Sequence, residues 1–420
     1  MNLGTFWKRA GGAWRFRRDH GTKAAIRRGL NAMLNPDAFK KHKVVDSLAF
    51  TRYQPFGSRS EAQGVASNTV NWFIPRPGRG SGGHLNIFRF VRNLEAQGFE
   101  CRIVSTVTNL PGMTPQQMEA DIANWFFPLK ARVYIGAENA PPAAISIATG
   151  WHTAYDVRNF QSTLHKCYFV QDFEPLFYPV GTDYALAEET YRFGFTGITA
   201  GGWLAAKLAT EYGMSTHAVG FSYDRDLYRA NPIAHEGRRV FFYTRPATPR
   251  RGFELGLAVL NEVARRHPDT VAVLAGGGRL GQWEIPFKHV DSDIVALNKL
   301  SELYNSCDAA LVLSFTNLSL LPLELMACGV PVVSNRAPCT QWLLTEDNAR
   351  LEAPTIDALA DAICAILENP TEAERLRQGG LQLAATTDWE AEGRRMAEIL
   401  RQISNELDGA TTASSPAAQA

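Results

Sequence analysis

The chain has 420 residues, 45% of them apolar and 20% charged, which is enough to bury the cores of two domains. A net charge of +1 argues against general affinity for polyanions. The six scattered cysteines (Cys101, Cys167, Cys307, Cys328, Cys339, Cys364) form no C-x-x-C pair and no metal-ligand spacing, so reduced thiols in a cytoplasmic protein are expected. No apolar run approaches a membrane-spanning length and the N-terminus has no signal-like apolar region, so neither a transmembrane helix nor a secretory signal is expected.

Residues 1–65 read as a basic N-terminal extension. Residues 1–43 alone hold 11 Lys/Arg against two Asp, a balance of +9 that leaves −8 for the remainder. Trp7, Trp14, Phe16, Ile26, Leu30 and Leu34 interleave with those charges. Such a segment either lies on an anionic membrane surface or is a loose extension docked on the body, and the substrates implied below favour the first. No nucleic-acid partner is expected, because no recognised nucleic-acid fold surrounds the charges.

A first domain is expected over residues 66–225. Thr69 to Ile74 reads as a strand, followed by a Gly/Pro-rich loop, a helix after Gly83 with Leu85, Phe88, Val91 and Leu94 on its apolar face, and a strand at Cys101–Val104. Gly82 and Gly83 are either a tight turn or a place where backbone N–H groups meet an anion at the helix start. Further strands are expected at Val133–Ile135 and Ala144–Ala148. Trp151 and His152 follow a strand end, where a histidine is either structural or part of a site. A buried strand, Cys167–Val170, then runs into Gln171-Asp172-Phe173-Glu174-Pro175. Asp172 and Glu174 are either solvated loop carboxylates or groups that bond sugar hydroxyls or serve as a base for an acceptor hydroxyl.

The polar stretch Gly220–Gly237 reads as a linker, and a second domain is expected over 236–386. It opens with a strand at Val240–Thr244 and a loop carrying Arg245, Arg250 and Arg251. Those arginines are either solvated or set to grip a diphosphate with bidentate hydrogen bonds. A strand ending at Gly276 and Gly277 follows, where the backbone could approach a nucleotide closely. Beyond it come a helix over Leu300–Cys307, a strand at Ala309–Leu313, an apolar helix from Leu320 to Cys328 that carries Glu324, and a strand at Val332–Ser334. Glu324 either offsets the helix dipole or faces a ligand at the rim of the sheet. Amphipathic helices are expected at Leu359–Leu367 and Glu372–Ala384, then a crossover helix over 387–404 and a disordered tail over 405–420. Strand–helix alternation in two halves gives the fold class α/β, two Rossmann-like domains facing across a cleft.

The run from Leu323 to Asn335, LELMACGVPVVSN, resembles the nucleotide-sugar site of family 4 retaining glycosyltransferases, which have the GT-B fold. In that pattern Glu324 is the second of two glutamates, the one that binds the ribose hydroxyls. Thr316, eight residues earlier, stands where the first glutamate, a contact to the donor sugar ring, is usual. QDFEP at 171–175, the FYP and LAE segments after it, the Gly82/Gly83 helix start and the Trp151/His152 segment are similar to WsaF-type rhamnosyltransferases of bacterial surface-glycan assembly. The resemblance runs over roughly residues 68–390.

The resemblance implies a nucleotide-sugar donor, dTDP-rhamnose, and transfer with retention and without a metal or other cofactor. The acceptor would be a glycan or lipid-linked glycan, handled on the inner face of the membrane. Arg245 and one of Arg250/Arg251 take the donor phosphates, helped by Arg279 or Lys299. Asp172, Glu174 and Arg245 are the candidate catalytic residues; Gly82, Gly83, Arg245, Arg250, Arg251, Gly276, Gly277 and Glu324 are the candidate donor-binding residues. Other readings are a GT-B enzyme using another UDP- or GDP-sugar, a nucleotide-sugar epimerase, and a non-catalytic glycan-binding module.

Overall fold

A computed structural model describes residues 44–107, 113–277 and 280–413. The basic segment 1–43 and Arg279 lie outside the described residues. Two parallel sheets carry the architecture. The first has seven strands: β1 (Thr69–Ile74), β2 (Glu100–Ser105), β3 (Arg132–Ile135), β4 (Ala143–Ala148), β5 (Thr163–Val170), β6 (Thr196–Ala200) and β7 (Thr216–Val219), in the order β3-β2-β1-β4-β5-β6-β7. The second has six: β8 (Arg238–Tyr243), β9 (Thr270–Ala275), β10 (His289–Asp291), β11 (Ala309–Val312), β12 (Val332–Asn335) and β13 (Ala349–Glu352), in the order β10-β9-β8-β11-β12-β13. In each sheet the strand order reverses beside the first strand. That is where the loops at the strands' carboxyl ends splay apart and leave room for a ligand.

The sequence pattern explains why these strands are central. Every residue of β1 and of β4 is buried, as expected for parallel strands with helices on both faces. Of the two polar residues in β1, Thr69 and Asn71, the second donates from Nδ2 to the Pro141 carbonyl at 2.7 Å. Trp72 and Phe90 pack edge-on against Phe169 with ring centroids 5.9 and 5.3 Å away, and full burial of each such ring contributes roughly 1.5–3 kcal/mol.

The expected strands are present, most with ends moved by one or two residues: β8 ends at Tyr243 and β11 at Val312, one residue earlier than expected. β5 begins at Thr163 rather than Cys167; after the buried Thr163 the next three residues are only partly covered, so no apolar run marks this half of the strand. Two assignments change. Tyr53 to Val65, assigned by sequence to the extension, belongs to the same compact unit as the rest of the chain beyond Arg52. Phe56 pairs with Phe160, its carbonyl accepting from Gln161 N at 2.9 Å, and Ser58 N donates to Ser162 Oγ at 3.1 Å. The last helix is Trp389–Ala413, so it runs through the start of the expected disordered tail; Glu406 and Leu407 continue the helix-forming composition. Asp388 is its N-cap, accepting from Glu390 N at 3.2 Å and Ala391 N at 3.1 Å. Met396, Ala397, Ile399, Leu400 and Ile403 of this helix join the core of the first domain, so the chain crosses back after completing the second.

Candidate active site between the two sheets

Asp172 follows β5 directly and is only 9% exposed. Its carboxylate reaches the second domain. Oδ1 accepts from Asn317 N at 2.7 Å and from its own neighbour Phe173 N at 2.8 Å; Oδ2 accepts from Thr316 Oγ1 at 3.0 Å. Arg250 Nε and Arg251 Nη2 stand 3.5 and 3.8 Å from the same Oδ2. Asn317 ties the contact down by donating from Nδ2 to the carbonyls of Gln171 at 3.0 Å and Ala200 at 2.8 Å. Thr316, at the place of the missing glutamate, is thus a buried hydroxyl donor to a carboxylate from the opposite sheet.

Of the three arginines, Arg251 is the most engaged. It bonds Ser314 Oγ at 2.7 Å and the Asn317 carbonyl at 3.0 Å, which fixes the loop after β11. Arg250 lies over the Phe177 ring, 3.8 Å from its centroid, with its Nε buried and short of a hydrogen bond. Arg245 is exposed and donates to the Gly276 carbonyl at 3.2 Å. Burial lowers the pKa of Arg250; Asp172 opposes that, and the charges of Arg251 and Arg245 add to it. A concentration of positive charge with one internal carboxylate is suited to a bound dianion.

Gly276 has φ +128°, and a Cβ there would lie 2.6 Å from the Tyr243 ring and 2.7 Å from the Thr244 carbonyl, so only glycine fits this turn. Gly277 meets Ile294 instead of any candidate site side chain. Lys299 pairs with Glu302 at 3.0 Å on an exposed helix face.

In the first domain, Gly82 and Gly83 open the helix Gly82–Ala96, capped by Ser81. Gln171, beside Asp172, donates to the Gly83 carbonyl at 3.1 Å and accepts from Asn86 Nδ2 at 3.2 Å, which brings the glycine turn alongside the end of β5. Glu174 goes another way. It is 7% exposed, and its Oε2 accepts from Trp151 N at 2.7 Å, at the start of the helix Trp151–Asn159. Burial pushes its carboxyl up to about 8, against the opposing effect of the Trp151 amide. Neither Asp172 nor Glu174 is a solvated loop carboxylate. His152 lies against Trp151 with ring centroids 3.6 Å apart and the planes tilted by 35°, and burial lowers its pKa.

Glu324 lies in the first turn of the helix Leu321–Ala327. Tyr304 donates its hydroxyl to Oε2 at 3.5 Å, and Tyr228 also bonds it. Burial raises its carboxyl to about 7, with Arg89 of the first domain as the charge that most opposes the rise. Arg89, Asn86, Gln171 and Asn317 escaped sequence reading. The helix is amphipathic, with His84, Arg92, Asn93 and Glu95 besides Asn86 and Arg89, so the pattern of residue types did not set these two apart.

The sequence profile of the WsaF N-terminal domain matches residues 83–200, and that of the WsaF C-terminal domain matches residues 238–364. The chain belongs to the WsaF-type family 4 glycosyltransferases of GT-B fold. The O-antigen biosynthesis protein RfbC of Myxococcus xanthus is 35% identical over 345 residues, which cover 77% of this chain and 26% of that protein. The chain therefore spans about a quarter of that relative's length. Among solved structures, sucrose-phosphate synthase from Thermosynechococcus elongatus aligns with TM-score 0.63 and 16% identity, over 80% of this chain and 98% of that one. Anabaena HepE in complex with UDP and glucose aligns with TM-score 0.62 and 15% identity, over 80% and 99%. These likenesses establish the GT-B fold of the WsaF-type chain. No helix among its described residues is long and apolar enough to cross a membrane.

Proposed function

We propose that the chain is a glycosyltransferase of bacterial surface-glycan assembly, moving a sugar from a nucleoside diphosphate to a hydroxyl of a glycan or lipid-linked glycan. The observation that carries this reading is the set of Arg245, Arg250 and Arg251 after the first strand of the second sheet, the latter two standing beside Asp172 of the first. In the reaction the bond from the sugar's anomeric carbon to the diphosphate oxygen breaks, the acceptor oxygen takes its place, and the acceptor's proton passes to the departing diphosphate. Negative charge grows on the leaving diphosphate. Arg245 and Arg250 stabilise it there, with the Gly82/Gly83 helix start facing the same charge. Glu324 holds the nucleotide's sugar hydroxyls. Asp172 orders the reacting centre by joining the two domains across it.

The donor is read as dTDP-rhamnose and the stereochemistry as retention. Membership of the WsaF family supports rhamnose. Thr316 in place of a glutamate suits a deoxysugar, which offers one hydroxyl fewer to bond. The basic segment 1–43 is read as the means of holding the enzyme at an anionic membrane surface, close to lipid-linked acceptors.

Calorimetric titration of the full chain with dTDP, UDP and GDP tests the donor. Selective dTDP binding is the expected result. Preference for UDP or GDP moves the donor elsewhere, and binding of none overturns the nucleotide site. Transfer from the donor to a rhamnan acceptor, against interconversion of the free nucleotide sugar, separates a transferase from an epimerase.

A further inference from the structure

The three arginines beside Asp172 are not held alike. Arg251 commits Nη1 to Ser314 Oγ and the Asn317 carbonyl. Arg245 is exposed, bonds the Gly276 carbonyl and lies 5.7 Å from the Tyr243 ring centroid. Arg250 is well placed yet uncommitted. Its side chain is only 25% exposed, and no acceptor among the described residues completes a hydrogen bond with its guanidinium; Asp172 Oδ2 stands 3.5 Å from Nε. Nε is the nitrogen buried without a partner, so the terminal fork of N–H groups is what solvent reaches.

An aromatic face holds Arg250 in place. Phe177 closes the short turn Glu174–Phe177 that follows Asp172, and the Arg250 guanidinium carbon lies 3.8 Å from its ring centroid. A stacked ring attracts the cation and leaves its in-plane N–H groups available, whereas a carboxylate would take them up. The turn is itself tied down. Glu174 N donates to the Tyr191 hydroxyl at 3.1 Å, Tyr178 N to the Pro175 carbonyl at 3.2 Å, and Trp151 Nε1 to the Tyr178 hydroxyl at 3.0 Å. On the other side, the Arg250 carbonyl accepts from Phe315 N at 3.0 Å, which fixes its backbone to the loop after β11.

We propose that Phe177 is a positioning residue of the donor site, supplied by the first domain, whose ring holds the Arg250 guanidinium flat with its terminal N–H groups facing the phosphate that carries the sugar. The inference rests on the phosphate-site reading of Arg250 given above. A free arginine has to be ordered when its ligand binds, and that ordering costs affinity; the ring orders it beforehand. Ring and guanidinium come from loops of opposite sheets, so the arginine is aligned only while the two domains stand together.

A contact that merely joined the domains would act alike on every ligand of the site. One that aims a guanidinium acts on the phosphate it reaches, so diphosphate and monophosphate respond differently to its loss.

The test is calorimetric titration of the full chain with dTDP, UDP and GDP, then with the nucleoside monophosphate of whichever base binds best. Phe177→Leu keeps an apolar side chain and removes the ring. It is expected to weaken the diphosphate by about three- to tenfold and the monophosphate by less than about twofold. Phe177→Tyr keeps the ring and is expected to stay within about twofold of wild type for both. Arg250→Gln is expected to weaken the diphosphate by about tenfold, and adding Phe177→Leu to it to change little further. Phe177→Met serves in place of Phe177→Leu if the latter fails to fold by circular dichroism. Wild-type diphosphate affinity in the ringless variant overturns the role of Phe177. So does an equal loss for both nucleotides, a similar loss in Phe177→Tyr, or a loss that persists beside Arg250→Gln. Unchanged affinity in Arg250→Gln overturns instead the phosphate role of Arg250, and a wild type that binds none of the three diphosphates overturns the donor-site reading beneath both.

Discussion

The two places where charge crosses between the domains are built differently. At Asp172 both carboxylate oxygens are taken: two backbone amides and the Thr316 hydroxyl donate, and two guanidinium groups stand beside them. At Glu324 the facing guanidinium has a buried nitrogen without a partner, and Asn86 on the same helix stripe has an orphan carbonyl oxygen. Buried unpartnered atoms occur at both places, Arg250 Nε and Asn317 Oδ1 at the first and Arg89 Nη1 and Asn86 Oδ1 at the second. What sets the first apart is a carboxylate with both oxygens taken, which fixes a geometry because removing it strands its donors.

Breaking the first crossing should have the largest effect. Asp172→Ala leaves the Asn317 and Phe173 amides and the Thr316 hydroxyl without their acceptor and Arg250 and Arg251 without their counter-charge, and a loss of about 3–5 kcal/mol in unfolding free energy is expected in denaturant titration. An unchanged midpoint would show that water replaces the carboxylate at no cost and that the crossing is not structural.

Next in size is the effect of pH through Glu174. Its carboxyl sits at about 8 when folded, against an unfolded value near 4.5, so the folded state holds a proton that the unfolded state releases. Its contribution is therefore most favourable below the unfolded pKa and declines as pH rises from about 4.5 to about 8. Glu174→Gln keeps an acceptor for the Trp151 amide and has no charge to bury. Its melting temperature should exceed the wild type's by the most at pH 8 and above, by at least about 1 kcal/mol in stability. A constant difference from pH 5 to pH 9 would mean that another group carries the titration.

The two crossings also differ in how far sequence foretold them. The parallel strands were legible, because short apolar runs closed by Gly, Pro and Asp punctuate both halves. Asp172, Glu174 and the three arginines were visible as charges at strand ends. What each side chain touches was not. Asp172 and Glu174 are two residues apart, yet one bonds Asn317 and the other the Trp151 amide. The difference is a turn of backbone at Phe173 that no pattern of types encodes. Arg89 was hidden for a further reason: Phe88 and Phe90 flank it, and Glu324, the carboxylate whose charge acts on it most, lies 235 residues further on.

Two smaller effects sharpen the contrast. Thr316→Val removes one of the donors to Asp172 while keeping shape, and about 1 kcal/mol of stability should be lost, with the domains still joined through Asn317. A loss as large as that of Asp172→Ala would give Thr316 a role beyond its hydroxyl. Arg245→Ala touches an exposed side chain with one bond to Gly276, so stability should change by less than about 0.5 kcal/mol. Nucleoside diphosphate affinity should fall by about tenfold in the same variant, measured by calorimetry. Unchanged affinity would remove Arg245 from the phosphate site.

The chain passes between its domains twice, and the two passages are laced together. Glu392 Oε2 accepts from Gly220 N at 2.6 Å, Ser222 Oγ meets Thr387 Oγ1 at 2.9 Å, and Arg225 donates to the Thr387 carbonyl at 2.6 Å. Paired crossings behave as the spine of a book rather than as two independent strings. Where one passage moves, these three bonds carry the other with it.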